Sequence, residues 1–333
     1  MTLSDFNNIK SVKEMNSMGM TISHGHTLPD YYDSYMNNRE SVRMLETYFT
    51  YIFSTGRSLI RYIEVEIDSD VVTTVFEAVF YSNPSQMRVY ELPVSKSGNK
   101  DNVMTVVKSI LNKEFKTTFF VSESDMDTLG VEGIEPHDGW CNFYDTYDFV
   151  MGSRYTQKMK TKYRFKYLDE HCKSYFYKSL DYGMKESVVE LRSRWEETYP
   201  GNVHNSKSFM KALNFVSDDT VNMLTYYDDE LVHYNKLYVI PNGVVRVFSC
   251  NASRCKTEND SRNKDVYNID RYTRIPLLEY VKEELGVDRI YHLSLGCNIS
   301  KSMQGLYDYK RRTHEGRENY CLISSDVLKE LIG

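Results

Sequence analysis

The chain has 333 residues, 41% of them hydrophobic and 26% charged, and carries a formal net charge of −6. That length exceeds what one compact core ordinarily holds, and the composition excludes disordered, fibrous and collagen-like chains. The negative charge excludes a uniformly basic nucleic-acid coat, although not a local basic face. No run of about eighteen apolar residues offers a membrane span.

The segment Met1–Lys13 lacks the basic-then-apolar layout of a signal peptide, and the six cysteines form no CxxC pair or dense framework. Both features predict a cytoplasmic protein with free thiols. The abundance of Tyr, Asn and Lys would suit a viral genome, which would make the location the host cytoplasm.

Residues 1–36 are polar, with a loop-like Ser23-His-Gly-His-Thr-Leu-Pro29. A helix is expected from Asn38 to Phe53, with Val42, Leu45, Tyr48, Phe49 and Ile52 on one face. Three strands follow, Ser58–Ile67, Val71–Tyr81 and Met87–Pro93, joined by turn-forming Asp68-Ser-Asp70 and Ser82-Asn-Pro-Ser85, so an antiparallel meander is predicted. Next come a helix at Asn102–Glu114, a strand at Phe115–Val121 and an acidic loop at Asp125–Gly139. A long basic amphipathic helix is expected over Ser153–Tyr177. Its cations Arg154, Lys158, Lys162 and Lys166 lie four apart beside a stripe of Tyr155, Met159, Tyr163 and Tyr167. Helices at Lys185–Thr198 and Ser206–Val216 lead into a second set of strands, Val221–Tyr226, Leu231–Ile240 and Val244–Cys250. The segment Asn251–Tyr272 is polar and basic. After it are predicted a helix at Thr273–Leu285 capped by Gly286 and a buried strand at Val287–Leu295. A turn with cap candidates Asn298 and Ser300 then opens a helix carrying Ile299, Met303, Leu306 and Tyr307, with Gly316 as its stop. A strand at Glu318–Ile323 and a short helix at Ser325–Ile332 close the chain.

The order of elements from Asn38 repeats from Lys185 although the residues do not, which predicts a duplicated unit. The expected organisation is an α/β (α+β) chain with an N-terminal half over 1–150, a linking basic helix over 151–184 and a C-terminal half over 185–333.

Helices, an antiparallel meander, a polar loop, a helix, a parallel-type strand, a helix and an edge strand together resemble the GNAT acyltransferase fold. Leu306-Tyr307 with Tyr309-Lys310 resembles the Leu-Tyr-x-x-x-Gly-Phe helix of GNAT enzymes. Residues 140–316 more specifically resemble the tandem-GNAT proteins that include the C-terminal domain of phosphatidylglycerol lysyltransferases and the FemAB aminoacyltransferases. Phe143-Tyr-Asp-Thr-Tyr-Asp-Phe149, Lys158…Arg164-Phe165, Arg194-Trp195 and Leu295-Gly…Gly305-Leu-Tyr-Asp-Tyr-Lys310 carry that resemblance. One departure is that Asn268-Ile-Asp-Arg-Tyr-Thr-Arg274 has no glycine where acyl-CoA users carry a glycine-rich loop; FemAB-like relatives, which draw on aminoacyl-tRNA, often lack it too.

The resemblance implies two mixed-sheet halves, each with a splayed pair of parallel strands, and an acyl-CoA or aminoacyl-tRNA donor docked between such a pair. The donor's phosphates would meet a helix N-terminus at Asp270–Arg274, with Arg254, Lys256, Arg262, Lys264, Arg271, Arg274 and Asn298 around it. Read without the resemblance, the same cations belong to a solvated loop that also carries Glu258, Asp260 and Asp265. Tyr307 is the candidate general acid for the departing thiolate or ribose oxygen, with Tyr309 and His314 as weaker stand-ins. His292 is the candidate general base. A Tyr at helical spacing and a His in a strand are equally at home as structural residues.

On the basic helix, Arg154, Lys158, Lys162 and Lys166 can track a phosphate backbone while the tyrosines stack on bases. The other reading buries the Tyr/Met stripe between the halves and leaves the lysines as its solvated flank. His24-x-His26 lacks a third ligand of identifiable spacing, and no metal is expected. A P-loop, a strand–GxGxxG–helix unit, a Gly-x-Ser-x-Gly elbow and HExxH are all missing from the sequence. The expected activity is acyl or aminoacyl transfer to an amine or hydroxyl, with a DNA or RNA base as one acceptor. The alternative is a catalytically degenerate GNAT-like module that binds nucleic acid or a protein partner.

Overall fold

The computed structural model describes residues 1–22, 28–31, 60–80, 84–122, 125–126, 129–130, 141–152, 154–198, 206–240, 243–251, 269–293 and 313–332. The expected helix Asn38–Phe53, the pair His24 and His26, and the whole of Leu295–Lys310 lie outside them. So do Arg254, Lys256, Arg262, Lys264, Asn298, Tyr307 and Tyr309.

The chain divides into two compact units. The first comprises Met1–Asn142 and Glu318–Gly333, and the second Phe143–Leu293 and Tyr309–Arg317. This division differs from the 1–150, 151–184 and 185–333 scheme read from the sequence. The last sixteen residues join the first unit, and the basic helix belongs to the second.

In the first unit, β1 (Met20–Thr21), β2 (Ile60–Ile67), β3 (Asp70–Val79) and β4 (Gln86–Tyr90) are successively antiparallel. A short β5 (Val94–Ser95) also pairs with β3. The helix Lys100–Leu111 follows, its Asn99 side chain accepting from the N–H groups of Asp101 and Asn102. It buries Val106, Val107, Ile110 and Leu111 against the sheet. Then β6 (Thr117–Ser122) lies parallel to β4 from Met87 opposite Thr117 to Tyr90 opposite Phe120. At Glu91 the chain leaves β4 with a φ of +63°, while β6 runs on to Ser122. The strand Gly316–Ser324 pairs antiparallel with β6, and the closing helix Ser325–Ile332 buries Leu328 in the same core. Gly316 opens this strand, and residues 300–312 of the helix it was expected to stop lie outside the described residues. Any Cβ there would clash with the Tyr144 ring and its hydroxyl.

The second unit repeats this plan. Its sheet runs β7 (Cys141–Thr146), β12 (Arg289–Leu293), β11 (Gly243–Asn251), β10 (Glu230–Ile240), β9 (Thr220–Tyr227) and β8 (Cys172–Tyr177). The meander β9–β10–β11 is antiparallel, and β12 is parallel to β11. The helix Arg274–Glu284 leads into β12, just as Lys100–Leu111 leads into β6. Leu277, Leu278 and Val281 of that helix pack on Val221, Leu237, Val244 and Ile290. The repeat also reaches the turns. Asp68-Ser69 (φ +46° and +68°) joins β2 to β3, and Asp228-Asp229 (φ +45° and +69°) joins β9 to β10.

One element differs from expectation. The basic helix is confined to Tyr155–His171, and the residues up to Tyr177 form β8, an edge strand antiparallel to β9. A separate short helix, Tyr147–Met151, precedes the basic one.

Candidate functional site

A bulge sets the geometry of the second unit. Lys236 of β10 faces Phe248 and Leu237 faces Arg246, so Val247 is an extra residue on β11. Among the described residues the parallel ladder with β12 ends at that place, with Arg246 opposite His292. Beyond it β11 runs on to Asn251. The end of this paired stretch is lined by charged and imidazole side chains buried in the protein.

Asp145, on β7, is fully buried, and its Oδ2 accepts from three donors. These are His314 Nδ1 at 2.8 Å, His292 Nε2 at 3.0 Å and Arg274 Nη1 at 3.0 Å, while Oδ1 accepts from the Glu315 N–H at 3.2 Å. Arg274 also donates to Asp270 Oδ2 at 3.2 Å and to the Thr313 carbonyl at 3.2 Å. Arg246 donates to Asp270 Oδ1 at 2.8 Å and to the Ser249 hydroxyl, and its Nη1 lies 3.4 Å from His292 Nδ1. His233, on β10, completes the group. Its Nε2 lies 3.4 Å from Ser249 Oγ and 3.6 Å from Asp270 Oδ1. Among the described residues two guanidiniums thus balance two carboxylates.

The protons follow from this arrangement. An arginine only donates, so His292 Nδ1 must accept and Nε2 must carry the proton given to Asp145. Burial, with His314 close by, pushes His292 well below its usual range despite the pull of Asp145. Burial likewise lowers His233. For Asp145, burial opposes ionisation, but the hydrogen bonds from His292 and His314 and the Arg274 charge outweigh it and hold the carboxyl far below the carboxylate range. Asp270 is depressed in the same way, burial being overcome chiefly by Arg246.

The oxygen of Asp145 and the nitrogens of His292 and His314 lie within 4.8 Å of one another, a spacing that a metal ion could share. The second sphere is wrong for it. A metal on Nε2 would move the His292 proton to Nδ1, where it would face the Arg246 guanidinium instead of an acceptor. Arg274 already occupies the same carboxylate oxygen. The donor set suits shared protons.

Acyl-CoA meets a comparable misfit in this unit. Where its pyrophosphate would reach the start of the helix Arg274–Glu284, the Asp270 carboxylate stands bonded to Arg246 and Arg274. A second anion there would meet a carboxylate and two cations already neutralised.

Of the sequence-predicted residues, the structure thus gathers His292 and Arg274 into one network, along with His314, and places Arg271 in the short helix Ile269–Tyr272 beside it. The missed members are Asp145, His233, Arg246 and Asp270's tie to them. The available signal was polar residues inside otherwise apolar strands: His233 in β10, Arg246 in β11 and Asp145 in β7.

The basic helix docks next to the network. Phe165 and Leu168 bury against Val232, Ile269 and Tyr272, and the Tyr272 hydroxyl donates to Asp169 at 3.2 Å. Its Tyr/Met stripe is not the buried face: Met159 is 49%, Tyr163 83% and Tyr167 46% exposed. Arg154, Lys162 and Lys166 are exposed, and Lys158 is half-exposed and 3.8 Å from Asp148.

No family model and no curated protein matches the sequence. Solved structures do match in fold. FemX is 11% identical with a TM-score of 0.56, over 92% of this chain and 98% of that one. L-PGS from Bacillus licheniformis is 12% identical with a TM-score of 0.51, over 89% and 91%. A conserved protein of unknown function from Bacteroides thetaiotaomicron is 10% identical with a TM-score of 0.51, over 94% and 98%. At such identities the likeness is one of fold, and the chain is a mixed α+β protein of two units resembling FemX and L-PGS in fold.

Proposed function

We propose that the chain is an aminoacyl- or acyl-transferase whose donor is carried on a nucleic acid, an aminoacyl-tRNA in preference to acyl-CoA, and whose acceptor is an amine or hydroxyl. The observation that carries this reading is the basic helix Tyr155–His171, which exposes lysines and tyrosines side by side and packs directly against the short helix bearing Asp270. The GNAT-like fold supports transfer. The carboxylate at the start of Arg274–Glu284 weighs against a CoA pyrophosphate.

In this reading the cations Arg254, Lys256, Arg262, Lys264 and Arg271, with Asn298, hold the donor's phosphates. Arg154, Lys158, Lys162 and Lys166 hold the polynucleotide. Tyr307 gives its phenolic proton to the departing ribose oxygen as the ester C–O bond breaks. The new bond to the acceptor forms, and the phenolate recovers a proton from the acceptor nitrogen or oxygen. Tyr309 and His314 support it. His292, with both ring nitrogens engaged, positions Asp145.

Thermal shift with aminoacyl-tRNA, uncharged tRNA, acetyl-CoA and CoA tests the reading. A ligand bound only by the folded state stabilises it by about 2.7 kcal/mol at a hundred times its Kd. A rise with aminoacyl-tRNA and none with CoA is expected. Silence toward every donor would instead favour the degenerate module, which the internally neutralised Arg246 and Arg274 would also suit. Tyr307→Phe should lower kcat by about 10²–10⁴-fold while leaving the tRNA-induced shift in place.

A further inference from the structure

The strip from Arg154 to Leu168 holds six cations and no carboxylate in fifteen residues. Met159, Tyr163 and Tyr167 stand four apart along it, which puts them on one face of the helix. Opposite, Phe165 and Leu168 seat the helix on the protein, so the ring-bearing face is held at the surface.

At the end of the strip the rings are locked together. The Tyr167 and His171 centroids are 4.5 Å apart, and His171 stacks on Tyr227 at 5.4 Å with planes 22° apart. The Tyr227 hydroxyl donates to the Tyr167 hydroxyl at 2.7 Å, and His171 Nδ1 lies 3.0 Å from Asp228 Oδ1. The Asp228 N–H in turn donates to the His171 carbonyl. Each ring is thus fixed by a polar bond at its edge.

We infer that Tyr163, Tyr167 and the attached His171–Tyr227 pair form a stacking platform for unpaired bases, so that the basic helix takes a single-stranded stretch of nucleic acid and not a duplex. This rests on the proposed nucleic-acid reading of the helix and narrows it. Cations alone would hold any phosphate backbone, paired or not. An aromatic face adds affinity only when a base can lay its own face on it, which the stacked interior of a duplex forbids. An anionic bilayer shares the charge complementarity. It would, however, need apolar side chains to sink into its acyl layer, whereas these tyrosines carry hydroxyls, two of them bonded to one another.

The test is fluorescence anisotropy on the full chain at one fixed salt concentration. The probes are a labelled mixed-sequence 12-mer RNA, the same sequence annealed to its complement, and vesicles of phosphatidylcholine with phosphatidylglycerol. The single strand should bind at least tenfold more tightly than the duplex. Tyr163→Ala with Tyr167→Ala should remove at least that advantage and leave duplex binding unchanged, and Tyr163→Phe should retain it. Lys158→Glu, Lys162→Glu and Lys166→Glu together should abolish both. Equal binding of both RNA forms, insensitive to the tyrosine changes but lost in the lysine variant, would overturn the platform and leave the basic-helix reading standing. RNA binding indifferent to the lysine changes, no RNA binding at all, or binding to vesicles alone would overturn both.

Discussion

Asp145 is the residue on which the second unit's polar interior converges, since three donors share one of its oxygens. Removing that carboxylate takes from the buried Arg274 one of the two acids that pair with it among the described residues, Asp145 and Asp270. Breaking a buried pair from one side costs about 3–5 kcal/mol, so Asp145→Ala should lower the urea midpoint of the second unit by a corresponding amount. Asp145→Asn, which keeps the shape but not the charge, should fall in between; a variant as stable as the parent would show that the network carries no charge balance. The pH dependence has one sign throughout. The folded pKa values of Asp145, Asp270, His292 and His233 all lie below their unfolded ones. At low pH the unfolded chain therefore binds more protons, and stability is lost as pH falls. The two histidines act first, below about 6.5, and the two carboxylates below about 4. Stability should fall in two stages on acidification below neutrality, read as urea midpoints from pH 7 to pH 3. A midpoint that rose between pH 7 and pH 5 would contradict the buried neutral histidines. Of this site the sequence made His292 and the Asp270–Arg274 stretch legible. The partnership with Asp145 was not, because residues 145, 274, 292 and 314 come from two strands, a helix start and the turn before the last strand, which meet only in the folded unit.

At the scale of elements, periodicity was a good guide wherever one face was clearly apolar. Both meanders, the helices Lys100–Leu111 and Arg274–Glu284, and the parallel strands after them fall within a few residues of expectation. It failed at Cys172–Tyr177. There a basic, tyrosine-rich pattern continued past the true end of the helix, and an edge strand with a solvated side gives little alternation of its own. The cue was local: the four-residue spacing of cations ends at Lys166, and Asp169-Glu170 follow. The hairpin turns offer a direct check on the repeat. Two consecutive residues at positive φ, in the same place in both units, suit glycine better than Asp or Ser. Ser69→Gly and Asp229→Gly should each add about 0.5–1 kcal/mol by relieving that backbone strain. A loss of stability at either turn would mean that the side chain there makes a bond worth more than the strain.

For the molecule as a whole, the finding with the widest reach is that the first unit is finished by the end of the chain. Ile323 and Leu328 are buried with Val106, Val107, Ile110, Phe119 and Val121, and Tyr320–Ser324 pair with β6. A reading by sequence order alone assigns those residues to the second half, because proximity along the chain is the only guide it has. Folding of the first unit must then wait for a strand more than 190 residues after β6, which is slow in the way that distant pairing is slow. Ending the chain after Arg317 should consequently injure the first unit and spare the second. Losing each large apolar side chain from such a core costs about 2–5 kcal/mol, and β6 would also lose a ladder partner. Hydrogen exchange should quicken across Lys100–Leu111 and Thr117–Ser122, while Thr220–Tyr227 and Glu230–Ile240, whose partners all lie within Phe143–Leu293, keep their protection. Equal loss of protection in both sets of segments would show that the two units unfold as one and that the division between them has no energetic meaning.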